Sequence, residues 1–227
     1  MLVEKNVPLQ PLNTFHIVAK AHVLVRIASE SDLREVIADP QWAQLPKLVL
    51  GGGSNVVLTG DVKPLVLKVE IKGRRILHET SKAIIVESGG GECWHDLVAW
   101  TLQQGAPGLE NMALIPGTVG AAPVQNIGAY GVELQDRFES LDAMDLDTGQ
   151  VFTLHAAQCA FGYRDSVFKH GGTSGSKEKL RTCRSRRWNT TKRCFRILKL
   201  SVITLINSSC LLMINYGHCQ NTANFYS

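Results

Sequence analysis

Residues 110–131 read ENMALIPGTVGAAPVQNIGAYG, and this stretch decides how the rest of the chain is interpreted. It contains four glycines and two prolines, and no charged residue follows Glu110. So much glycine and proline disfavours a regular helix or strand, while an ordinary exposed loop would be more polar. The composition suits a backbone that runs close to a flat or anionic ligand, because glycines let main-chain N–H groups approach it. A buried glycine-rich crossover without a ligand is an equally good interpretation of the composition alone.

Three other segments stand out, and they read PLNTF at 11–15, LGGGSNVVL at 50–58 and FGYRDSVFKH at 161–170. In the second, Gly51–Gly53 can supply a nest of backbone donors for a diphosphate, with Ser54 and Asn55 as side-chain donors. It is not a P-loop, because no Gly-Lys-Ser/Thr follows, and it is not a Rossmann turn, because no helix follows. Taken alone, this motif is better explained as a tight hairpin.

The four segments occur in one order between residues 11 and 170, and together they resemble the flavin-binding core of the UDP-N-acetylenolpyruvoylglucosamine reductases. The resemblance implies an α+β fold with a split FAD-binding domain of the vanillyl-alcohol-oxidase/PCMH kind. It implies FAD as cofactor, NADPH as hydride donor and a small nucleotide-sugar substrate. We expect FAD-binding subdomains at 1–70 and 71–170, and a missing substrate domain.

The resemblance also assigns roles to individual residues. Arg164 matches the catalytic arginine, and Tyr163 would lie beside the substrate. A planar guanidinium suits a carboxylate whose charge spreads in the transition state, although Arg164 could equally form an ordinary surface ion pair. The residues that match the flavin-binding segments are Gly51, Gly52, Gly53, Ser54, Asn55, Ile115, Pro116, Gly117, Gly120, Ala121, Val124, Asn126, Ile127, Gly128, Tyr130 and Gly131.

Two catalytic groups of the family have no counterpart in these 227 residues. Its proton-donor serine lies in a later Gly-Ser-Phe-Phe-Lys-Asn-Pro-like segment, and its catalytic glutamate lies nearer the C-terminus. After Glu178 this sequence contains no acidic residue. We therefore expect a truncated, catalytically incompetent reductase, and the alternative is an FAD-binding module without turnover. A different flavin oxidase of the same superfamily is disfavoured by the FGYRDS motif.

Charge divides the chain near residue 170. Residues 1–170 contain 14 Lys and Arg and 19 Asp and Glu, a net charge of −5. Residues 171–227 contain 10 Lys and Arg against one acid, a net charge of +9, and four of the six cysteines. We expect this basic, Cys-rich tail to be non-native or disordered, so the basic pI is no evidence that the folded part binds nucleic acid. A nucleic-acid-binding arm formed by its Arg cluster is a less favoured alternative. The apolar stretch at 197–214 is a poor membrane span because it contains Lys199, Asn207 and several serines.

No signal peptide is visible at the start, so we expect a cytoplasmic protein, most simply a monomer, with neither a nucleic-acid nor a membrane partner. Cys93 and Cys159 are expected to be isolated thiols. No metal site is expected, and His95 is interpreted as a surface or hydrogen-bonded side chain.

Local signals predict several elements. Ser29 with Asp32 predicts a capping box that opens a helix to about Ile37, which Asp39-Pro40 ends. A second helix begins near Trp94, with Gly105 as its C-terminal cap. Strands are predicted at 23–28, 48–50, 56–58, 64–69 and 83–88, a solvated turn at 72–75, and a hairpin over 140–155.

Overall fold

The computed structural model describes residues 1–81 and 83–169, together with the backbone of 196–206. Its first sheet has four strands in the order β1-β2-β4-β3. These strands span β1 Leu2–Pro8, β2 Lys20–Ile27, β3 Lys47–Leu50 and β4 Leu65–Val69. β1 is antiparallel to β2, whereas β2 and β3 both run parallel to β4. The parallel strands are rich in Val, Leu and Ile, as expected for strands covered on both faces.

Two short helices connect β2 to β3. The first, α1 (Glu30–Ala38), begins at the predicted capping box, in which Ser29 Oγ accepts from Asp32 N–H at 3.1 Å and Asp32 accepts from Ser29 N–H. It buries Leu33 and Val36 against the sheet. Asp39 is extended and starts the four-residue helix α2 (Pro40–Ala43). The prediction for α1 is confirmed at both ends.

The second sheet has five strands in the order β10-β9-β11-β6-β5. They span β5 Arg74–Glu79, β6 Ala83–Ser88, β9 Phe138–Asp145, β10 Val151–His155 and β11 Arg196–Ile206. β9 and β10 form the predicted hairpin, with Gly149 at φ +70° in its turn. β11 is rich in β-branched residues, and it runs parallel to both β6 and β9.

β11 lies in the segment 171–227, for which the sequence predicts no folded structure. Within the described residues, β6 and β9 are joined only through this strand. The cysteines and most arginines of the tail lie outside the described residues.

Helix α3 (Trp94–Gln103) packs on the second sheet through the predicted face, on which Trp94, Leu97, Val98 and Thr101 are buried. Gly105 follows it at φ +70°, and its N–H donates to Leu102 O at 3.0 Å. The remaining elements are short. They are α4 (Ala156–Cys159), the paired strands β7 (Gly128–Ala129) and β8 (Val132–Glu133), and 3-10 turns at Gln10–Leu12, Glu110–Met112, Val119–Gln125 and Leu134–Asp136.

The two sheets share a core at the end of the β9–β10 hairpin. Met144 and Leu146 are fully buried in the cluster formed by Val25, Ile27 and Leu67 of the first sheet. The mixture of sheets and separate helices confirms the α+β class. Among the residues that the structure describes, no helix is long and apolar enough to cross a membrane.

Two local predictions are wrong. Residues 56–58 form no strand, because the chain leaves the ladder after β3; Leu58 is buried and Val56 partly buried against the core without any strand pairing. The turn predicted at 72–75 gives way at Arg74 to β5, an exposed edge strand that backbone pairing with β6 holds in place. The apolar side chains of residues 56–58 wrongly predicted a strand, and the polar side chains of residues 72–75 wrongly predicted a turn.

The position of β11 predicts that shortening the chain affects its stability. Residues 1–195 would leave facing backbone groups of β6 and β9 without a ladder partner, whereas residues 1–206 would retain β11. We expect the thermal midpoint of the 1–195 chain to fall by about 5 °C or more relative to the 1–206 chain. Calorimetry of the two truncations and of the full chain measures this difference. Equal midpoints for 1–195 and 1–206 would show that β11 does not stabilise the sheet.

Candidate cofactor site

Two glycine-rich segments lie in close contact, and the contact between Gly52 and Gly117 is free of side chains. A β-carbon placed on Gly52 would lie 2.9 Å from Gly117 Cα, and one on Gly117 would lie 3.0 Å from Ser54 Oγ. A β-carbon on Gly51 would lie 2.6 Å from Thr118 Oγ1. The loop after β3 and the loop before Val119–Gln125 therefore pack tightly on each other, backbone against backbone at Gly52 and Gly117 and with the Ser54 and Thr118 side chains beside them. The sequence-based prediction placed both loops in one site, and the structure places them in contact.

The third predicted segment lies against the same loop. Thr14 N–H donates to Gly53 O at 3.1 Å, and Gly53 has a φ of +68° with no room for a β-carbon against Leu12 O. Asn13 is buried, and its side chain donates to Leu9 O at 2.8 Å and accepts from Ile17 N–H at 2.9 Å. Asn13 thus shapes its own turn, and the turn fixes one side of the loop at 51–55.

A second glycine triplet, Gly89–Gly91, supports the other side of the long segment. Gly120 N–H donates to Gly90 O at 2.9 Å, and Val119 N–H donates to Glu92 O at 2.9 Å. Trp94 N–H donates to Gly117 O at 3.1 Å. The sequence showed this triplet, but its role was missed because no composition rule pairs it with a segment some 30 residues later.

Asn126 is fully buried and joins three parts of the site. Its amide nitrogen donates to Glu133 Oε2 and to Gly162 O, each at 3.0 Å, and its oxygen accepts from Gln135 N–H at 3.0 Å. Its φ of +43° lies in the left-handed region, which asparagine tolerates better than most residues. The protein therefore uses this amide to connect its own segments, and a contact between Asn126 and flavin stays a prediction.

The end of the long segment is a two-residue turn between β7 and β8. Tyr130 and Gly131 have φ values of +51° and +76°, and the Tyr130 side chain is 88% exposed. A β-carbon on Gly128 would lie 2.7 Å from Val132 O, so glycine is needed where the two strands come together. The turn presents a tyrosine ring to solvent at the edge of the candidate site.

The FGYRDS turn packs directly onto this segment. Ser166 Oγ donates to Val124 O at 2.7 Å, and Arg164 Nη2 donates to Gly128 O at 3.1 Å. Gly162 O accepts a hydrogen bond from the Asn126 side-chain amide. Arg164 is in the left-handed region at φ +52°, and Lys169 Nζ donates to its carbonyl at 2.9 Å. The side chain of Tyr163 is 85% exposed.

These contacts bring most of the predicted residues into one continuous surface. Gly51–Asn55 touches the Gly117 region, and Arg164 touches Gly128. Ile115 and Ile127 are partly buried and pack on the core between α3 and the second sheet. The predicted cofactor residues that are exposed are Gly52, Asn55, Pro116, Ala121, Tyr130 and Gly131. Ser166 and Lys68 were missed by the sequence analysis, because a serine in a turn and a lysine in a strand carry no distinctive pattern.

The donor set fits an anionic, flat cofactor such as FAD. Gly52 and Asn55 are exposed, and within residues 1–81 and 83–169 the backbone N–H groups of Gly52, Ser54 and Asn55 have no protein acceptor. Backbone donors grouped in a glycine turn form a concavity suited to phosphate oxygens. The absence of a β-carbon at Gly52 lets this loop lie directly against Gly117.

The ionisable groups around the site are few. Lys68 Nζ donates to Gly51 O, and burial lowers the pKa of this lysine. His95 Nδ1 accepts from Leu114 N–H at 3.3 Å, which confirms the hydrogen-bonded role expected for this histidine. Burial raises the pKa of Cys159 to about 12, so its thiol stays protonated and unreactive at neutral pH.

The sequence matches a family model described as an FAD binding domain over residues 21–155. It is 58% identical over 173 residues to the UDP-N-acetylenolpyruvoylglucosamine reductase of Azoarcus sp. strain BH72, covering 74% of this chain and 50% of the relative. The corresponding reductase of Paraburkholderia phytofirmans is 57% identical over 165 residues, with 73% and 48% covered. The chain thus spans about half the length of the curated relatives it matches.

A solved structure gives the same result at the level of the fold. The crystal structure of UDP-N-acetylenolpyruvylglucosamine reductase from Thermus caldophilus aligns with a TM-score of 0.58 and 26% identity. The alignment covers 73% of this chain and 57% of that chain.

The geometry around Asn126 predicts a large effect of its removal on stability. Asn126→Ala would remove the fully buried amide that is the shared partner of the partly buried Gly162 carbonyl, the Glu133 carboxylate and the Gln135 backbone N–H. We expect a loss of about 2–3 kcal/mol in the free energy of unfolding, measured by urea denaturation. The control is Asn111→Ala, since Asn111 is exposed and its amide reaches Tyr130 O only at 3.4 Å. Similar losses for the two variants would contradict the structural role of Asn126.

Proposed function

Because the chain belongs to the FAD-binding domain family and is homologous to the UDP-N-acetylenolpyruvoylglucosamine reductases, we propose that it binds FAD at the surface described above. The diphosphate would be held by the loop at 51–55. The flavin would lie along residues 115–131. The observation that carries this proposal is the side-chain-free contact between Gly52 and Gly117, which joins the two segments into one backbone-lined surface.

The reaction proposed for the complete enzyme is the NADPH-dependent reduction of UDP-N-acetylglucosamine enolpyruvate to UDP-N-acetylmuramate, a step in peptidoglycan precursor synthesis. The bound flavin would supply the redox chemistry by carrying a hydride from NADPH to the substrate. This chain's own residues would orient the flavin and bind part of the substrate. The support is homology over about half of each relative.

Arg164 is proposed as the catalytic arginine and Tyr163 as a substrate contact. Arg164 is exposed, and the hydrogen bond from Nη2 to Gly128 O holds its guanidinium next to the proposed flavin segment. A guanidinium has five donors in a fixed plane, so the remaining ones can face a substrate carboxylate. Its positive charge would then stabilise the negative charge that develops on the substrate during hydride transfer. The exposed Tyr163 ring lies at the neighbouring position on the same turn.

Residues 1–227 by themselves are proposed to bind FAD without efficient turnover. The sequence contains no counterpart of the serine that would protonate the substrate, and no acidic residue follows Glu178. Loss of interactions made mainly in the transition state lowers the rate far more than it lowers cofactor affinity. An FAD-binding module without turnover is therefore the second candidate function for this polypeptide.

Several further properties belong to the same proposal. We propose a split FAD-binding domain of the vanillyl-alcohol-oxidase/PCMH kind, with subdomains at 1–70 and 71–170 and a substrate domain outside them. The first sheet lies within residues 2–69, and β5 begins at Arg74, so the proposed boundary falls between the two sheets. A cytoplasmic monomer without nucleic-acid or membrane partners is the state we propose for the reductase.

The visible absorbance spectrum of the protein after incubation with FAD and desalting tests the binding step. We expect a retained flavin band near equimolar amount, because the chain contains both backbone segments of the proposed site and the structure brings them into contact. Addition of NADPH with and without the enolpyruvyl substrate then tests turnover, which we expect to be absent or very slow. A colourless protein with a normal circular dichroism spectrum would contradict the proposed FAD site. Rapid substrate-dependent reoxidation would contradict the second candidate function.

Gly52→Ala tests the contact that carries the proposal. The added methyl would lie 2.9 Å from Gly117 Cα and would push the two segments apart, so we expect flavin affinity to fall by about tenfold or more. Gly60→Ala is the matched control, because a β-carbon at Gly60 would meet nothing within 4 Å. Flavin fluorescence titration measures both affinities. Equal affinities in the two variants would show that flavin does not depend on this contact.

A further inference from the structure

Lys68 occupies an unusual position on β4. It follows Val66 by two residues, so it lies on the same face of the strand, and Val66 is fully buried in an apolar cluster with Leu24 and Leu48. Its register partners on the flanking strands are Arg26 on β2 and Leu50 on β3. An apolar residue would continue the pattern of this face without any cost of desolvation.

The ammonium of Lys68 donates to the carbonyl oxygen of Gly51. Gly51 comes directly after Leu50, the register partner of Lys68, so the strand pairing itself brings the lysine to the first peptide of the glycine loop. The charge is therefore placed at the first residue of the loop at 51–55, and Gly51 itself lies against Thr118 of the long glycine-rich segment.

The surrounding charges do not account for this contact. Glu70, the acid that most favours the charged form of Lys68, accepts from Arg26 Nη1 at 2.7 Å, and Arg26 also binds Glu4 at 2.7 Å. Arg26 and Lys72 both disfavour the charge on Lys68. Lys68 thus donates its hydrogen bond to a neutral main-chain oxygen, at a position where burial and two neighbouring cations disfavour the charged form of the lysine.

We propose that Lys68 is a positioning residue for a diphosphate-containing ligand and acts through the peptide bond between Gly51 and Gly52. A cation that binds a carbonyl oxygen polarises the whole amide, which makes the N–H on the other side of the same peptide a stronger donor. That N–H belongs to Gly52, and it has no protein acceptor within residues 1–81 and 83–169. The inference rests on the proposed FAD function and assigns to it a residue outside the glycine motifs.

Lys72 provides a matched comparison. Its Nζ donates to Gly91 O at 2.6 Å, so it too binds the carbonyl of a glycine loop. The N–H on the far side of that peptide belongs to Glu92, and it donates to Gly89 O at 3.1 Å within the protein. Polarisation by Lys72 therefore strengthens an internal hydrogen bond, whereas the Gly52 N–H that Lys68 would polarise has no acceptor within residues 1–81 and 83–169.

The test compares FAD with riboflavin, which has the same ring system and no diphosphate, in the full chain and its variants. In Lys68→Met we expect about tenfold weaker FAD binding with riboflavin affinity unchanged, and an unchanged or higher thermal midpoint. Lys68→Arg should restore most of the FAD affinity, and Lys72→Met should stay close to the unmodified chain. Without ligand, the Gly52 amide proton should move upfield in Lys68→Met, as observed by NMR.

Each alternative outcome is distinct. Equal loss of FAD and riboflavin affinity in Lys68→Met would show that the lysine merely holds the loop in shape, and would overturn the inference. An unchanged FAD affinity, an unmoved Gly52 amide or an equal effect of Lys72→Met would also overturn it. If the unmodified chain binds neither flavin, the proposed function fails first, whereas failure of Lys68 alone leaves FAD binding intact.

Discussion

The close approach of Gly52 to Gly117 is the contact on which the candidate site depends. A distance of 2.9 Å from a hypothetical β-carbon to Gly117 Cα means that even alanine would force one segment to move. The contact joins a loop that follows the first sheet to a segment that packs on the second sheet. At this point the two halves of the chain meet through main chain, in addition to the side-chain core that Met144 and Leu146 form with the first sheet.

The surroundings hold this contact in place from both sides. On one side, Gly53 lies so close to Leu12 O that a β-carbon would not fit, and Thr14 N–H donates to Gly53 O. On the other, residues 90–94 form three backbone hydrogen bonds with residues 117–120. Main-chain hydrogen bonds contribute modestly one by one, but a buried group left unpaired is costly, so such a network resists partial opening. The site is therefore preorganised before any ligand arrives, which reduces the ordering cost of binding.

Local signals predicted well wherever one short segment decides its own structure. The capping box at Ser29, the buried face of α3 and the turn at Gly149 all depend on residues within one or two turns of the chain, and all three are confirmed. The strand predicted for the apolar triplet at 56–58 does not form, because a strand needs a partner and β4 pairs with β2 and β3 instead. The prediction of a turn at 72–75 failed for the opposite reason, since pairing of β5 with β6 holds a polar, exposed sequence in a strand.

The glycine motifs could be located from the sequence because a missing side chain leaves a visible mark in composition. The partners of those motifs could not. Asn126 was expected to contact the cofactor, yet its amide connects segments up to 36 residues apart, and no spacing rule announces such a contact. The role of Lys68 is harder still to predict, since a single lysine in a Val- and Leu-rich strand is normally interpreted as an exposed position.

The glycines and Lys68 would contribute to the proposed anion site in physically different ways. Glycines bring neutral N–H donors close to the ligand, and these donors need no counter-ion and lose little conformational entropy on binding. A partly buried ammonium adds charge at a cost in desolvation. Its effect reaches the ligand only if the peptide between them is polarised. Since Lys68 binds the carbonyl of the first loop peptide, the loop can gain from the cation while its ligand-facing surface remains main chain alone. A site built in this way fixes the ligand by backbone geometry and adjusts its affinity through a residue that the ligand never touches.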